Sequence, residues 1–150
     1  MSAPAMSVTP RHGAPGRPSL RTHLLFLPWL LVAAAGIAAA WVLIALYLGR
    51  PLNGFAFLVA ADMWLVVRLA KLPRGIARGL WAAAGTALGI VLAIWWTVAS
   101  RVGIEMGLPP WEGIPLMGAG FAWLLAQMTY TPLEWAMFAT ATVLAGVLGR

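Results

Sequence analysis

The stretch 24–48, LLFLPWLLVAAAGIAAAWVLIALYL, and the stretch 80–100, LWAAAGTALGIVLAIWWTVAS, contain no Asp, Glu, Lys or Arg. As helices rising about 1.5 Å per residue they reach roughly 38 and 32 Å, enough to cross a bilayer core of about 30 Å. A helix on the surface of a water-soluble domain keeps one polar face, and these two have none. The runs place the chain in the all-α class, as a polytopic helical membrane protein.

Composition agrees. Of 150 residues, 62% are hydrophobic and 9% charged, against about 45–50% and 25% in soluble domains. The mean hydropathy is +0.88. The net charge of +6 does not point to nucleic acid, because the basic residues flank apolar runs and offer no extended face to follow phosphates. They act as orientation signals. The absence of cysteine removes thiol redox chemistry, disulfides and thiolate metal sites. The two histidines, His12 and His23, stand before or at the start of the first run, so neither a bis-imidazole haem nor a buried zinc site is expected. No cofactor and no metal site is read from the chain.

Outward from the first run, residues 1–22 carry Pro4, Pro10, Pro15 and Pro18 among small and basic residues, and are expected to form a disordered basic tail. Arg11, Arg17 and Arg21 before an apolar run also resemble a secretory signal, but the run continues to Leu48 and favours an uncleaved span. Span one is predicted at 23–48 and ends at Gly49-Arg50-Pro51, a stop and restart. Span two follows at 52–70, an antiparallel neighbour across a tight turn. The basic loop Arg68, Lys71, Arg74 and Arg78 comes next, then span three at 79–100. Residues 101–115 hold Glu105, Glu112 and three prolines. The positive-inside rule puts the tail and the basic loop in the cytoplasm, giving a cytoplasmic N-terminus, with the bacterial inner membrane the expected location.

The last apolar stretch, 116–148, is 33 residues, or about 50 Å as one helix. Thr131-Pro132-Leu133-Glu134 is a break signal: a Thr N-cap, Pro at the first helical position and Glu three residues after the cap. Spans four and five are therefore predicted at 114–130 and 132–148, within a bundle of five crossings over 23–150. This puts the break at the cytoplasmic boundary and the C-terminus outside. Four crossings, the last long and kinked, are the alternative. A partial repeat relates Ala40-Trp41-Val42-Leu43, Pro51-Leu52 and Phe57 to Ala122-Trp123-Leu124-Leu125, Pro132-Leu133 and Phe138, and would make two hairpins entering from opposite sides.

Asp62 lies near the middle of span two, where an unpaired ionised carboxylate is costly. It suits an interhelical hydrogen bond, a proton carrier or a cation ligand. Depth counted from the span ends groups Asp62 with Gln127, Thr86 and Thr140 as a candidate polar or ion site. Arg68 is expected to snorkel to the headgroups over Trp64 at i−4. Arg68, Lys71, Arg74 and Arg78 form a candidate contact for anionic lipid or a partner. Gly85 and Gly89, with Ala82, permit close helix approach, and the tryptophans near span ends are read as headgroup anchors.

No serine or cysteine nucleophile stands beside a base and no carboxylates pair, so an enzyme is not expected. The expected function is an accessory or structural membrane subunit acting by helix packing with a membrane-protein partner or with itself, the bilayer being its other partner. The alternative is a small proton- or ion-coupled transporter using Asp62.

Overall fold

The computed structural model describes residues 20–150 except 51, 53 and 73. The disorder expected for 1–19 lies outside these residues, as do Pro51, Asn53 and Pro73. The described residues form six helices and no strand: α1 Leu20–Leu48, α2 Phe55–Leu69, α3 Ile76–Glu105, α4 Gly113–Leu116, α5 Ala119–Thr129 and α6 Pro132–Leu148. Helix α1 starts three residues ahead of the predicted boundary, which leaves Pro28 two turns inside it.

Helix α3 is the axis of the fold and touches every other helix. It begins after Gly75, whose φ of 154° is accessible essentially to glycine alone. It runs 30 residues, past the predicted end at Ser100, because nothing breaks a helix before Gly107. Arg101 and Glu105 therefore ride on its last turns.

Small residues on α3 set how its neighbours lie. Gly85 faces Leu30 of α1 and Met63 of α2, and Gly89 faces Val59 of α2 and Ile37 of α1. Rising numbers on α1 and falling numbers on α2 make α1 parallel and α2 antiparallel to α3. The small-residue pair thus serves packing within the chain. At the start of α3, Gly79 meets the backbone of Gly146, while Gly149 reaches Ala82. Phe138, near the start of α6, packs instead on Trp41 at the far end of α1, so α6 is antiparallel to α3 and its C-terminal end lies beside the basic loop. The indole Nε1 of Trp64 donates to the carbonyl of Leu148 at 3.1 Å, tying α2 to the same end.

At the opposite end, Trp41 of α1 is 1% exposed and packs its ring on Phe55 of α2 and Phe138 of α6, with centroids 5.7 and 6.0 Å apart. Phe138 continues to Tyr130 and Trp135, and Trp135 to Trp123. Each such pair contributes about 0.5–1.5 kcal/mol beyond burial, so this chain of rings pins the start of α6 to the end of α1.

Two helices, α1 over Phe26–Leu48 and α3 over Ile76–Glu105, are long and apolar enough to cross a membrane, and a third joins them if α5 and α6 count as one broken span. The predicted span four is not one helix. Its 17 residues divide into α4 and α5, and the 11 residues of α5 extend only about 16 Å. The capping box forms as predicted: the Thr131 side chain accepts from the Glu134 N–H, and the Glu134 carboxylate accepts from the Thr131 N–H. Yet α5 and α6 meet at 112°, too open for an antiparallel hairpin and too sharp for one kinked helix.

Two further expectations are corrected by these contacts. Thr129 and Tyr130 lie against Thr97, Arg101 and Glu105, so the break sits at the far end of α3 from the basic loop, and the C-terminus is at the basic end. Both turns of the supposed repeat, after α1 and before α6, then lie at one end, so the hairpins are not opposed. The physical reason is α5 itself. It ends after 11 residues, and Ala122 and Ala126 bury its inner face against α3.

Candidate functional site

The residues predicted to share a polar layer do not converge. Asp62 is the eighth of the 15 residues of α2, half-buried, and makes no hydrogen bond or ion pair among the described residues. Val66 and Leu69, one and two turns further along the same face of α2, line a groove of about 460 Å³ against Phe26, Trp29, Val32 and Ala33 of α1. Asp62 thus stands one turn from an apolar groove lined by the α1 and α2 segments and by no residue of α3.

Thr86 is at similar depth, because its neighbour Gly85 meets Met63, but it is fully buried on another face and its hydroxyl donates to the Ala82 carbonyl at 2.8 Å. Thr140 is exposed and donates to the Ala136 carbonyl at 2.8 Å. The antiparallel register of α3 and α6 places it within about a turn of the depth of Thr86. Both hydroxyls are satisfied by their own helices. Gln127 is exposed on α5, at the end of the molecule remote from the basic loop.

The basic residues lie at one end of the bundle. The Arg68 guanidinium sits 5.1 Å from the centroid of the Trp64 ring. Arg68, Lys71 and Arg74 are exposed, while Arg78 is half-buried with its Nε lacking a partner among the described residues. Arg150 joins them, its Cγ lying close to Gly79. That addition follows from the course of α6, which the five-crossing expectation reversed.

Two cavities flank α5. One, of about 130 Å³, is apolar, lined by Ile90, Ile94, Ala122, Trp123 and Trp135, with the buried Nε1 of Trp95 unpartnered. The other, of about 250 Å³, has a mainly apolar lining that also includes Thr97, Arg101, Glu105, Thr129 and Tyr130. Sequence reasoning did not single out this second cavity. The spacing of Thr97, Arg101 and Glu105, i, i+4 and i+8 on one helical face, was available as a signal, but Tyr130 reaches them only through the turn into α6. Among the described residues no three His, Cys, Asp or Glu side chains are grouped so as to hold a metal ion. Comparison of the chain with protein-family models, with curated proteins and with solved structures finds no match.

Proposed function

We propose that this chain is an accessory subunit of a membrane assembly that receives a transmembrane helix of a partner in the groove between α1 and α2. In this arrangement α1, α2, α3 and α6 cross the bilayer, and α4 and α5 lie at the end remote from the basic loop. The positive-inside rule turns the basic end, including Arg150, to the cytoplasm. The observation that carries the reading is the isolation of Asp62. A carboxyl at the centre of a membrane helix is retained only where a donor, a cation or water meets it, and no described residue of the chain does so. A donor on a helix seated over Val66 and Leu69 supplies that contact. A self-contained ion path is less well supported, since Thr86 and Thr140 bond to their own helices and Gln127 is elsewhere.

The test is site-specific photocrosslinking in membranes. A crosslinker at Val66 is expected to trap one partner in stoichiometric yield, and one at Val143, exposed on α6, is not. Asp62→Asn keeps the hydrogen-bonding capacity and the crosslink. Asp62→Leu removes an interhelical bond of about 1 kcal/mol and lowers the yield about fivefold at limiting partner. Equal crosslinking at both positions would sink the proposal. Proton- or cation-driven flux in vesicles, abolished by Asp62→Asn, would replace it with the transporter reading.

A further inference from the structure

We infer that the groove between α2 and α6 seats an acyl chain of an anionic phospholipid, with the headgroup phosphate met by Arg68 at its cytoplasmic end. This groove has a volume of about 420 Å³ and an apolar lining. The small side chains of Ala60, Ala61 and Ala145 leave a trough at the α2–α6 seam, and the larger Phe57, Trp64 and Leu148 wall it. It is distinct from the groove at Val66. The 3.6-residue repeat puts the two on either side of the buried stripe of Ala56, Val59, Met63 and Val67 on α2. The seat rests on the arrangement proposed above, in which α2 and α6 lie in the bilayer and the basic end faces the cytoplasm, where anionic lipid is at hand.

The mouth of the groove is cationic. Arg68 stands one turn beyond Trp64 on the same face of α2, and its guanidinium lies 5.1 Å from the centroid of that ring. The ring is itself fixed, because its Nε1 donates to the Leu148 carbonyl of the facing helix at 3.1 Å. A guanidinium over an aromatic face keeps its in-plane N–H groups for a pair of phosphate oxygens, and Arg68 is exposed and forms no ion pair among the described residues. Arg150, two residues past Leu148, is a second exposed cation at this end. No described carboxylate opposes them: Glu105, Glu112 and Glu134 stand at the far end of α3, and Asp62 on the other side of α2. Positive charge beside an apolar trough complements a lipid that carries a net negative headgroup on apolar chains. An acidic segment of a soluble partner would leave the trough bare.

The test titrates the full chain in dodecylmaltoside micelles with dioleoyl phosphatidylglycerol and with dioleoyl phosphatidylcholine, and reads binding by native mass spectrometry. Phosphatidylglycerol is expected to bind about tenfold more tightly. Arg68→Gln cuts that preference about fivefold and Arg150→Gln about twofold, whereas Arg101→Gln, the same charge change at the far end of α3, leaves it intact. Ala61→Leu fills the trough and weakens both lipids. Arg68 and Ala61 are exposed, so neither change opens the core. Should Arg68→Gln misfold, Arg150→Gln set against Arg101→Gln carries the comparison. Equal affinity for the two lipids, equal losses in Arg68→Gln and Arg101→Gln, or binding unchanged by Ala61→Leu overturns the assignment. Hexaglutamate binding that Arg68→Gln weakens and Ala61→Leu does not, with no preference between the lipids, assigns the cluster to an acidic protein segment instead. Micelle binding is blind to which way the chain faces. Loss of the lipid preference with the Val66 crosslink intact therefore counts against the lipid seat alone, and a reporter after Arg150 on the side of residue 108 counts against the arrangement.

Discussion

Replacing Gly79 with alanine tests the contact that fixes the direction of α6. A Cβ at this position lands within contact distance of the carbonyl oxygen of Gly146 and 2.9 Å from Cγ of Arg150. The exposed Arg150 side chain swings aside, but the Gly146 carbonyl belongs to helix backbone, so the two helices must part. Opening the contact by about 0.5–1 Å forfeits a quarter to a half of the dispersion energy at each atom pair along it. Overpacking of this kind costs about 1–3 kcal/mol, and the helix propensity gained from Gly to Ala returns up to about 1 kcal/mol. A net loss of about 1–2 kcal/mol is expected. Gly36→Ala is the control, because a Cβ there meets nothing within 4 Å, and it should be neutral or slightly stabilising. Reversible unfolding in mixed micelles, followed by tryptophan fluorescence, measures both variants. A Gly79→Ala midpoint at or above wild type, or a loss in Gly36→Ala as large as that in Gly79→Ala, would refute the α3/α6 register.

Reporters inserted at residue 76 and after Arg150 are expected to report one side of the membrane, and a reporter at residue 108 the other. A C-terminal reporter agreeing with residue 108 would restore five crossings. Thr131→Ala removes the side-chain acceptor of the capping box and should destabilise the chain by about 1 kcal/mol in the same unfolding assay. No change would mean that the turn is held by its rings alone.

The all-helical class and the location of α6 were legible because long uncharged runs and a Thr-Pro-x-Glu cap are local signals. Residues 132–148 form the helix that those signals describe. The course of the chain between α3 and α6 was not legible, because hydropathy does not separate a helix crossing the bilayer from one lying against another helix. Ala122 and Ala126 look equally apolar in either case. Depth counting brought Asp62, Thr86 and Thr140 to similar levels, but facing is set by packing. The threonine hydroxyls took the nearer option of bonding four residues back. Gln127 was misplaced because α5 is only 11 residues long and ends at the side of the molecule away from the basic loop. Arg68 over Trp64 was foreseeable from i, i−4 spacing alone, whereas the meeting of Thr97 and Arg101 with Tyr130 depends on the 112° turn.

The four long helices are unequal, and the short ones are neighbours. Helices α2 and α6, with 15 and 17 residues, span about 22 and 26 Å, against roughly 45 Å for α1 and α3. They pack on each other, so the apolar girdle of the molecule is shallow along one flank and tall along the other. In the proposed arrangement, where both helices cross, lipid bordering the shallow flank would compress to match it, at a fraction of a kcal/mol per ångström of mismatch. Asp62 stands at the midpoint of that flank, about 11 Å from either end of α2. In that arrangement, a dimple in the bilayer there would bring water and headgroups nearer to the carboxyl of a chain whose groove stands empty, and would lower the cost of holding it at the centre of a membrane helix until a partner is seated.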